Sequence, residues 1–363
     1  MAKNNGIVDQ RVTGYTPLTS PYQLKQDIPR PHQAVETVTR GRRGIENILD
    51  NIDLRKIIIV GPCSIDDPKA AMEYANRLKE LSDKVSDQFL IVMRTYFEKP
   101  RTSLGWEGLI TDPNLDGTND MNKGLHLSRK ILRDISEIGL LTGVEYLDSF
   151  TPQYISDLVS WAAIGARTSY SPQHRQMASG LSMPVGIKND THGDLNVAVN
   201  GVLSAKEPHS FLGINEYGAP SVVNTSGNPY AHLVLRGGDT GPNYDKESVK
   251  KAQALLEKAG VLQNVIIDCS HDNSSKDYTK QPEVFEDVTR QIKEGNKKIA
   301  GFMVESYVKK GNQKLPADLT KLDHTVLEYG KSKTDGCIDW ETTDLLIRDA
   351  YRILSHKIFP VIK

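Results

Sequence analysis

Three cysteines in 363 residues are too few for a disulfide framework. No strand-like segment carries an aliphatic run longer than Ile57-Ile58-Ile59-Val60, far short of the roughly 20 apolar residues a membrane span needs. The opening residues, MAKNNGIVDQRV, lack the apolar centre of a secretory signal. An excess of either charge is missing too. With 45 Lys and Arg against 46 Asp and Glu, the formal net charge is −1, which gives no hold on a nucleic acid. No repeat with a period of about 20–50 residues is visible, so a solenoid is excluded. What remains is a soluble, cytoplasmic, globular chain with no membrane or nucleic-acid partner. Its hydrophobic fraction of 38% and charged fraction of 25% suit a sizeable core.

Residues 1–50 are polar and interrupted by Pro17, Pro21, Pro29 and Pro31, so they read as an N-terminal extension, a surface arm or linker. A short amphipathic helix from Val35 to Leu49 ends it. From Lys56 onward the character changes. Apolar runs at 57–60, 89–93, 141–147, 162–166, 184–188, 231–236, 264–268 and 301–305 are short, β-branched or aliphatic, and apolar on both faces. That pattern fits strands buried on both sides in a parallel sheet. Helix signals fill the gaps. Asp67-Pro68 is a cap with a first-turn proline, Asp245 opens a segment that stops at Gly260, and a Val284, Val288, Ile292 stripe ends at Gly295. Eight strands each followed by a helix predict an α/β (β/α)8 TIM barrel over residues 51–363, with a doubly wound open sheet as the alternative. Residues 210–215 and 221–225, around Gly218, break the alternation. They predict an antiparallel strand pair, about 208–228, inserted before the sixth barrel strand.

In such a barrel the C-terminal strand ends meet on one face, which holds the active site. Those ends read Cys63, Arg94, Lys99, Glu145, Arg167, Lys188, Arg236, Asp268, His271 and Glu305, nearly all ionisable. Two groups emerge. Arg94, Lys99, Arg101, Arg167, Lys188 and Arg236 would repel one another unless an anion sat among them, and guanidinium forks suit phosphate and carboxylate oxygens. Cys63, His271 and Glu305, with Asp335 in a later loop, offer thiolate, imidazole and carboxylates, the donors of a divalent metal such as Mn, Fe, Co or Zn. Cys269 and Cys337 have no evident partner and read as structural.

The motifs around these residues are specific. Gly61-Pro62-Cys63-Ser64, Met93-Arg94, Lys99-Pro100-Arg101-Thr102 and Gly165-Ala166-Arg167-Thr168 resemble the type I 3-deoxy-D-arabino-heptulosonate 7-phosphate (DAHP) synthases, aromatic amino-acid-sensitive subgroup. So do His174-Arg175, Ala178-Ser179-Gly180-Leu181-Ser182, Pro184-Val185-Gly186, Leu235-Arg236-Gly237-Gly238, Ser270-His271, Met303-Val304-Glu305-Ser306 and Thr334-Asp335. The resemblance covers about Gly14 to Leu346. It implies a metal-dependent transferase that condenses phosphoenolpyruvate with erythrose 4-phosphate, the first step toward chorismate. It also implies metal ligation by Cys63, His271, Glu305 and Asp335. Arg167, Arg236 and the Ala166 backbone would hold the phosphoenolpyruvate phosphate. Arg94, Lys99 and Lys188 would face its carboxylate, Arg101 and Thr102 the sugar phosphate, and Glu145 would complete the substrate site.

The same resemblance implies a homodimer or homotetramer inhibited by an aromatic amino acid. The inhibitor cavity would be lined by Pro152, Gln153, Leu181, Ser182, Phe211, Gly213 and Val223 and closed by the arm of a neighbouring subunit. Glycine rather than serine at position 213 leaves room for a phenol, which favours tyrosine. Three stretches depart from the family pattern, Ser169-Tyr170-Ser171-Pro172-Gln173, Trp106-Glu107-Gly108 and Lys188-Asn189-Asp190. They bear on sugar choice or subunit contacts and keep a secondary-metabolism paralogue open. A 3-deoxy-octulosonate 8-phosphate synthase would carry Lys-Ala-Asn-Arg where this chain has Lys99-Pro100-Arg101-Thr102, and a non-catalytic sensor barrel should have lost ligands that are all present.

Overall fold

The computed structural model describes residues 7–101 and 104–355. Two helices, α1 (Pro21–Asp27) and α2 (His32–Leu49), precede β1 (Lys56–Gly61), α3 (Pro68–Lys84), β2 (Phe89–Arg94) and α4 (Met121–Glu137). The alternation continues through β3 (Leu141–Glu145), α5 (Thr151–Ile155), β4 (Trp161–Ile164), α6 (Pro172–Gly180), β5 (Val185–Lys188) and α7 (Leu195–Lys206). A hairpin of β6 (Ser210–Ile214) and β7 (Pro220–Asn224) follows, then β8 (Ala231–Leu235), α8 (Lys246–Lys258), β9 (Val265–Asp268) and α9 (Gln281–Lys293). The chain ends with β10 (Ile299–Glu305), β11 (Lys309–Asn312), β12 (Lys331–Ser332) and α10 (Trp340–Ser355). Strands β1, β2, β3, β4, β5, β8, β9 and β10 close into one parallel barrel, and β6 pairs antiparallel with β7 outside it. The barrel and its inserted pair are therefore those that the spacing predicts. The short β11–β12 pair was not foreseen, because KKGN and KS are too polar and brief to read as strands.

Every barrel strand is buried on both faces, as its unbroken apolar run requires. Alternate residues divide the core in two. Ile58 and Val60 pack outward against the helices, whereas Ile57 and Ile59 join Val92, Trp161, Val234, Ile266 and Met303 inside the barrel. The helices start where their caps lie. Asp67 accepts from the amides of Lys69 and Ala70 before Pro68, and Asp245 accepts from those of Glu247 and Ser248. Helix α2 is tied to the barrel more closely than a polar extension suggests, because Ile45, Ile48 and Leu49 extend the interior cluster at the end opposite the mouth.

Trp161 fills the barrel centre because Gly186 faces it; a Cβ there would lie 2.4 Å from the indole. The indole Nε1 donates to His232 Nε2 at 3.1 Å, which fixes the imidazole as the tautomer whose Nδ1 donates to the Tyr230 carbonyl at 2.9 Å. Burial holds the His232 pKa down at about 4, against about 6.5 for an exposed histidine. Because the folded-state value is the lower one, this contribution to stability is complete above about pH 6.5 and is lost as the pH falls toward 4. The gap corresponds to about 3 kcal/mol. Urea unfolding of wild type and His232→Gln between pH 7 and 4.5 should show the wild type losing up to that much more stability; parallel curves would remove this role.

Candidate active site

The two-residue period of the strands carries the interior outward to the mouth. Val92 is followed two residues on by Arg94, Gly143 by Glu145, Gly186 by Lys188, Val234 by Arg236, Ile266 by Asp268 and Met303 by Glu305. Six ionisable side chains therefore point inward at one end. All but the fully buried Asp268 line a cavity of about 650 Å³ together with Cys63, Lys99, Ala166, Arg167, His271 and Asp335. Arg101 is exposed and does not line it; its Nε donates to the Trp106 carbonyl at 2.9 Å. Thr102 lies outside the described residues.

The cations are not bare, as sequence alone suggested they would be without a bound anion. Arg94 donates to Glu305 at 3.1 Å, to the Pro62 carbonyl at 3.3 Å and to Met303 Sδ at 2.9 Å. Lys188 Nζ lies 3.4 Å from both Glu145 and Asp268. Arg236 pairs with Asp272, and its amide donates to Asn189 Oδ1 at 3.0 Å. Lys99 Nζ sits 2.7 Å from Asp335 and 2.9 Å from Cys63 Sγ. Among the described residues Arg167 has no ion-pair partner, and it is exposed at the rim. Tyr96 lies beneath this group, its ring centroid 3.9 Å from the Arg94 guanidinium carbon and 5.8 Å from Lys188 Nζ. Sequence reading missed Tyr96 and Asp272 as parts of the site. Tyr96 shares the inward period with Arg94, which is the signal that could have found it; Asp272 had none, because only the fold brings it to Arg236.

Cys63, Glu305 and Asp335 offer ligand atoms that all lie within 4.8 Å of one another. His271 stands beside them, with Nε2 3.8 Å from Glu305 and Nδ1 2.9 Å from Asp268 and 2.7 Å from Ser270 Oγ. A carboxylate behind one ring nitrogen is how metal-binding histidines are oriented. His271 also has a φ of +56°, a left-handed conformation that costs a non-glycine residue about 1–3 kcal/mol and that clusters at functional sites. Burial pushes the Cys63 thiol pKa up to about 12, and the Glu305 carboxylate adds to this. Burial would also raise the Asp335 pKa, but the Lys99 ammonium holds it well below the usual carboxylate range. Burial would lower the Lys99 pKa, yet Cys63 and Asp335 hold it above the ordinary lysine value. One soft donor, two carboxylates and an oriented imidazole around a gap that already attracts a cation fit a divalent metal.

The regulatory candidates fall on three elements. Pro152 and Gln153 sit on α5, and Leu181 and Ser182 directly follow α6. Phe211, Gly213 and Val223 lie on the hairpin, where Phe211 pairs with Val223 and a Cβ on Gly213 would lie 2.9 Å from Val223 Cγ2. The hairpin joins α6 through Ser179 Oγ and Thr225 Oγ1 at 2.7 Å. It joins α1 through the Tyr22 amide, which donates to the Glu216 carbonyl at 2.7 Å. Of the departures from the family pattern, Tyr170 and Asp190 are electrostatically coupled to each other at the mouth. Glu107 is exposed, and Trp106 is buried with Nε1 donating to the Asp112 carbonyl at 2.8 Å.

A closed parallel barrel whose C-terminal mouth gathers paired cations beside a cysteine and carboxylates is a (β/α)8 enzyme for anionic substrates. The chain belongs to the DAHP synthetase I family, whose model matches residues 32–348. It is similar to a Tyr-sensitive phospho-2-dehydro-3-deoxyheptonate aldolase of Escherichia coli (strain K12), 45% identical over 98% of this chain and 97% of the relative. It is also similar to the Phe-sensitive aldolase of that strain, 48% identical over 94% of this chain and 95% of the relative. Among solved structures, the phospho-2-dehydro-3-deoxyheptonate aldolase from Francisella tularensis SCHU S4 superposes with a TM-score of 0.90 at 46% identity, covering 94% of this chain and 98% of the other. Among the described residues no helix is long and apolar enough to cross a membrane.

Proposed function

We infer that this chain condenses phosphoenolpyruvate with erythrose 4-phosphate and water, giving 3-deoxy-D-arabino-heptulosonate 7-phosphate and phosphate. The observation that carries the reading is near-full-length similarity to enzymes named for that product, joined to an ionised mouth at the catalytic end of the barrel. In this reading Arg167, unpaired at the rim, and Arg236 take the phosphoenolpyruvate phosphate beside the Ala166 backbone, while Arg94, Lys99 and Lys188 face its carboxylate. Arg101 and Thr102 remain the candidates for the sugar phosphate. Cys63, His271, Glu305 and Asp335 would hold the metal. When bound there, a divalent cation supplies Lewis-acid polarisation of the aldehyde carbonyl.

The protein's own part is orientation and charge. The cations hold both anions so that C3 of phosphoenolpyruvate faces the aldehyde carbon, with a water placed for C2 before phosphate departs. Lys99, lining the same cavity, adds positive charge that can stabilise negative charge developing in the reaction. Lys188 is fixed between Glu145 and Asp268, which spares the reaction the cost of reorienting it. Phosphate release should require both substrates, vanish in excess chelator and return with Mn or Co. Arg236→Ala should act on phosphoenolpyruvate and Arg101→Ala on the sugar, with losses of about 2–5 kcal/mol for a buried pair such as that of Arg236. Release that ignores the sugar or survives full chelation would contradict the reading.

Regulation belongs to the same proposal, for a homo-oligomer working in the cytoplasm. Relatives named Tyr-sensitive and Phe-sensitive are both near, and Gly213 favours tyrosine because the missing hydroxymethyl leaves room for a phenol. Tyrosine should inhibit more strongly than phenylalanine, and Gly213→Ser should reverse the preference in a phosphate-release assay. Activity unchanged by either amino acid at millimolar concentration would refute it.

A further inference from the structure

Asp335 is the one candidate ligand that neither ends nor directly follows a barrel strand. It lies in a loop after β12, and its side chain is 58% exposed. Something other than the barrel must therefore set its distance from Cys63 and Glu305. Three segments meet beside the centre, and each carries one candidate ligand and one further polar residue two or three positions on or before. Residues 63–66 carry Cys63 and Asp66, residues 305–307 carry Glu305 and Tyr307, and residues 333–335 carry Lys333 and Asp335.

The three further residues converge. Lys333 Nζ lies 3.0 Å from Asp66 Oδ2, with side chains only 8% and 1% exposed, and the Tyr307 hydroxyl donates to Asp66 Oδ1 at 3.1 Å. Charges buried this deeply are held by their partners, because neither is tolerable alone. Backbone contacts continue the strap. The Tyr307 amide donates to the Ile338 carbonyl at 2.9 Å, and the Ile338 amide donates to the Glu305 carbonyl at 3.0 Å. Between the two loops, Ser64 Oγ and Thr334 Oγ1 are 2.8 Å apart. None of the three residues lines the cavity.

We propose that Asp66, Tyr307 and Lys333 form a positioning node that holds Cys63, Glu305 and Asp335 in register for a divalent cation. The proposal rests on the metal reading above and deepens it. Asp66 aligns the loop after β1, Tyr307 the end of β10, and Lys333 the loop that delivers Asp335. Groups behind a ligand set typically govern metal affinity by about 10- to 100-fold.

The test titrates metal-free, full-length protein with Co²⁺ alone, reading the thiolate-to-cobalt absorption band and the dissociation constant by chelator competition. Lys333→Met and Asp66→Asn should each weaken Co²⁺ binding by about 10- to 100-fold, and Lys333→Arg should retain most of the affinity. The double variant should bind no more weakly than the weaker single one, since one unit is lost in each case. A node that serves only the fold would lower the melting temperature and leave the dissociation constant within about twofold of wild type, and that result overturns the proposal. Should the charge variants fail to fold, Tyr307→Phe decides. It removes one hydroxyl and keeps the ion pair, so weaker Co²⁺ binding or an altered absorption band supports the node and unchanged binding defeats it. Wild-type protein showing no thiolate–cobalt band would bring down the metal reading and the node together, whereas a normal wild-type band with unchanged variants brings down the node alone.

Discussion

Alternation of charge among the deeply buried side chains of the barrel mouth is the constraint on which the rest of the molecule depends. Eight parallel strands aim their last inward residues at one mouth, so ionised groups that would each be costly to bury must be buried together. They tolerate this because the signs interleave around the ring. Arg94 is set against Glu305, Lys188 against Glu145 and Asp268, Arg236 against Asp272, and Lys99 against Asp335 and Cys63. Each cation is thus held where an anionic substrate can meet it, and little reorganisation remains for the reaction itself. Arg167, at the rim, is the one of these cations without an ion-pair partner among the described residues.

Much of this was legible in the sequence, for a physical reason. A strand buried on both faces has no polar side to disguise it, so Ile57–Val60 and its seven counterparts stand out, and the ionised residue after each marks the mouth. The inserted hairpin was legible from Gly218 between two β-rich stretches. The carboxylate partners were harder to see. Asp272 reaches Arg236 only because the turn after β9 folds back, and nothing in the local sequence pairs residues 36 positions apart. For the same reason six cations looked as though only a substrate could neutralise them. The strap around residues 309–338 was invisible, since its strands are two to four polar residues held by backbone pairing and by the Lys333–Asp66 contact.

Two of the elements outside the barrel's alternation play different parts. Helix α2 completes the core at the closed end of the barrel, whereas the β6–β7 hairpin stands on the rim against α6 and α1. Its outward residues Leu212 and Val222 are exposed while Phe211 and Val223 face inward, so the pair has one apolar side more than its own packing uses. A regulatory pocket beside it would be joined to the mouth through α5 and the segment 147–151. There the amides of Leu147 and Asp148 donate to the buried carboxylate of Glu98, next to Lys99.

The central claim is that the gap spanned by Lys99 is a cation site. Crystals grown with Mn²⁺ and measured at an energy where manganese scatters anomalously test it most directly. The account predicts a single peak about 2.0–2.5 Å from Cys63 Sγ, His271 Nε2 and oxygens of Glu305 and Asp335, with the Lys99 ammonium moved off the sulfur it touches at 2.9 Å. No peak among these four residues, with Lys99 still bridging Cys63 and Asp335, would contradict it.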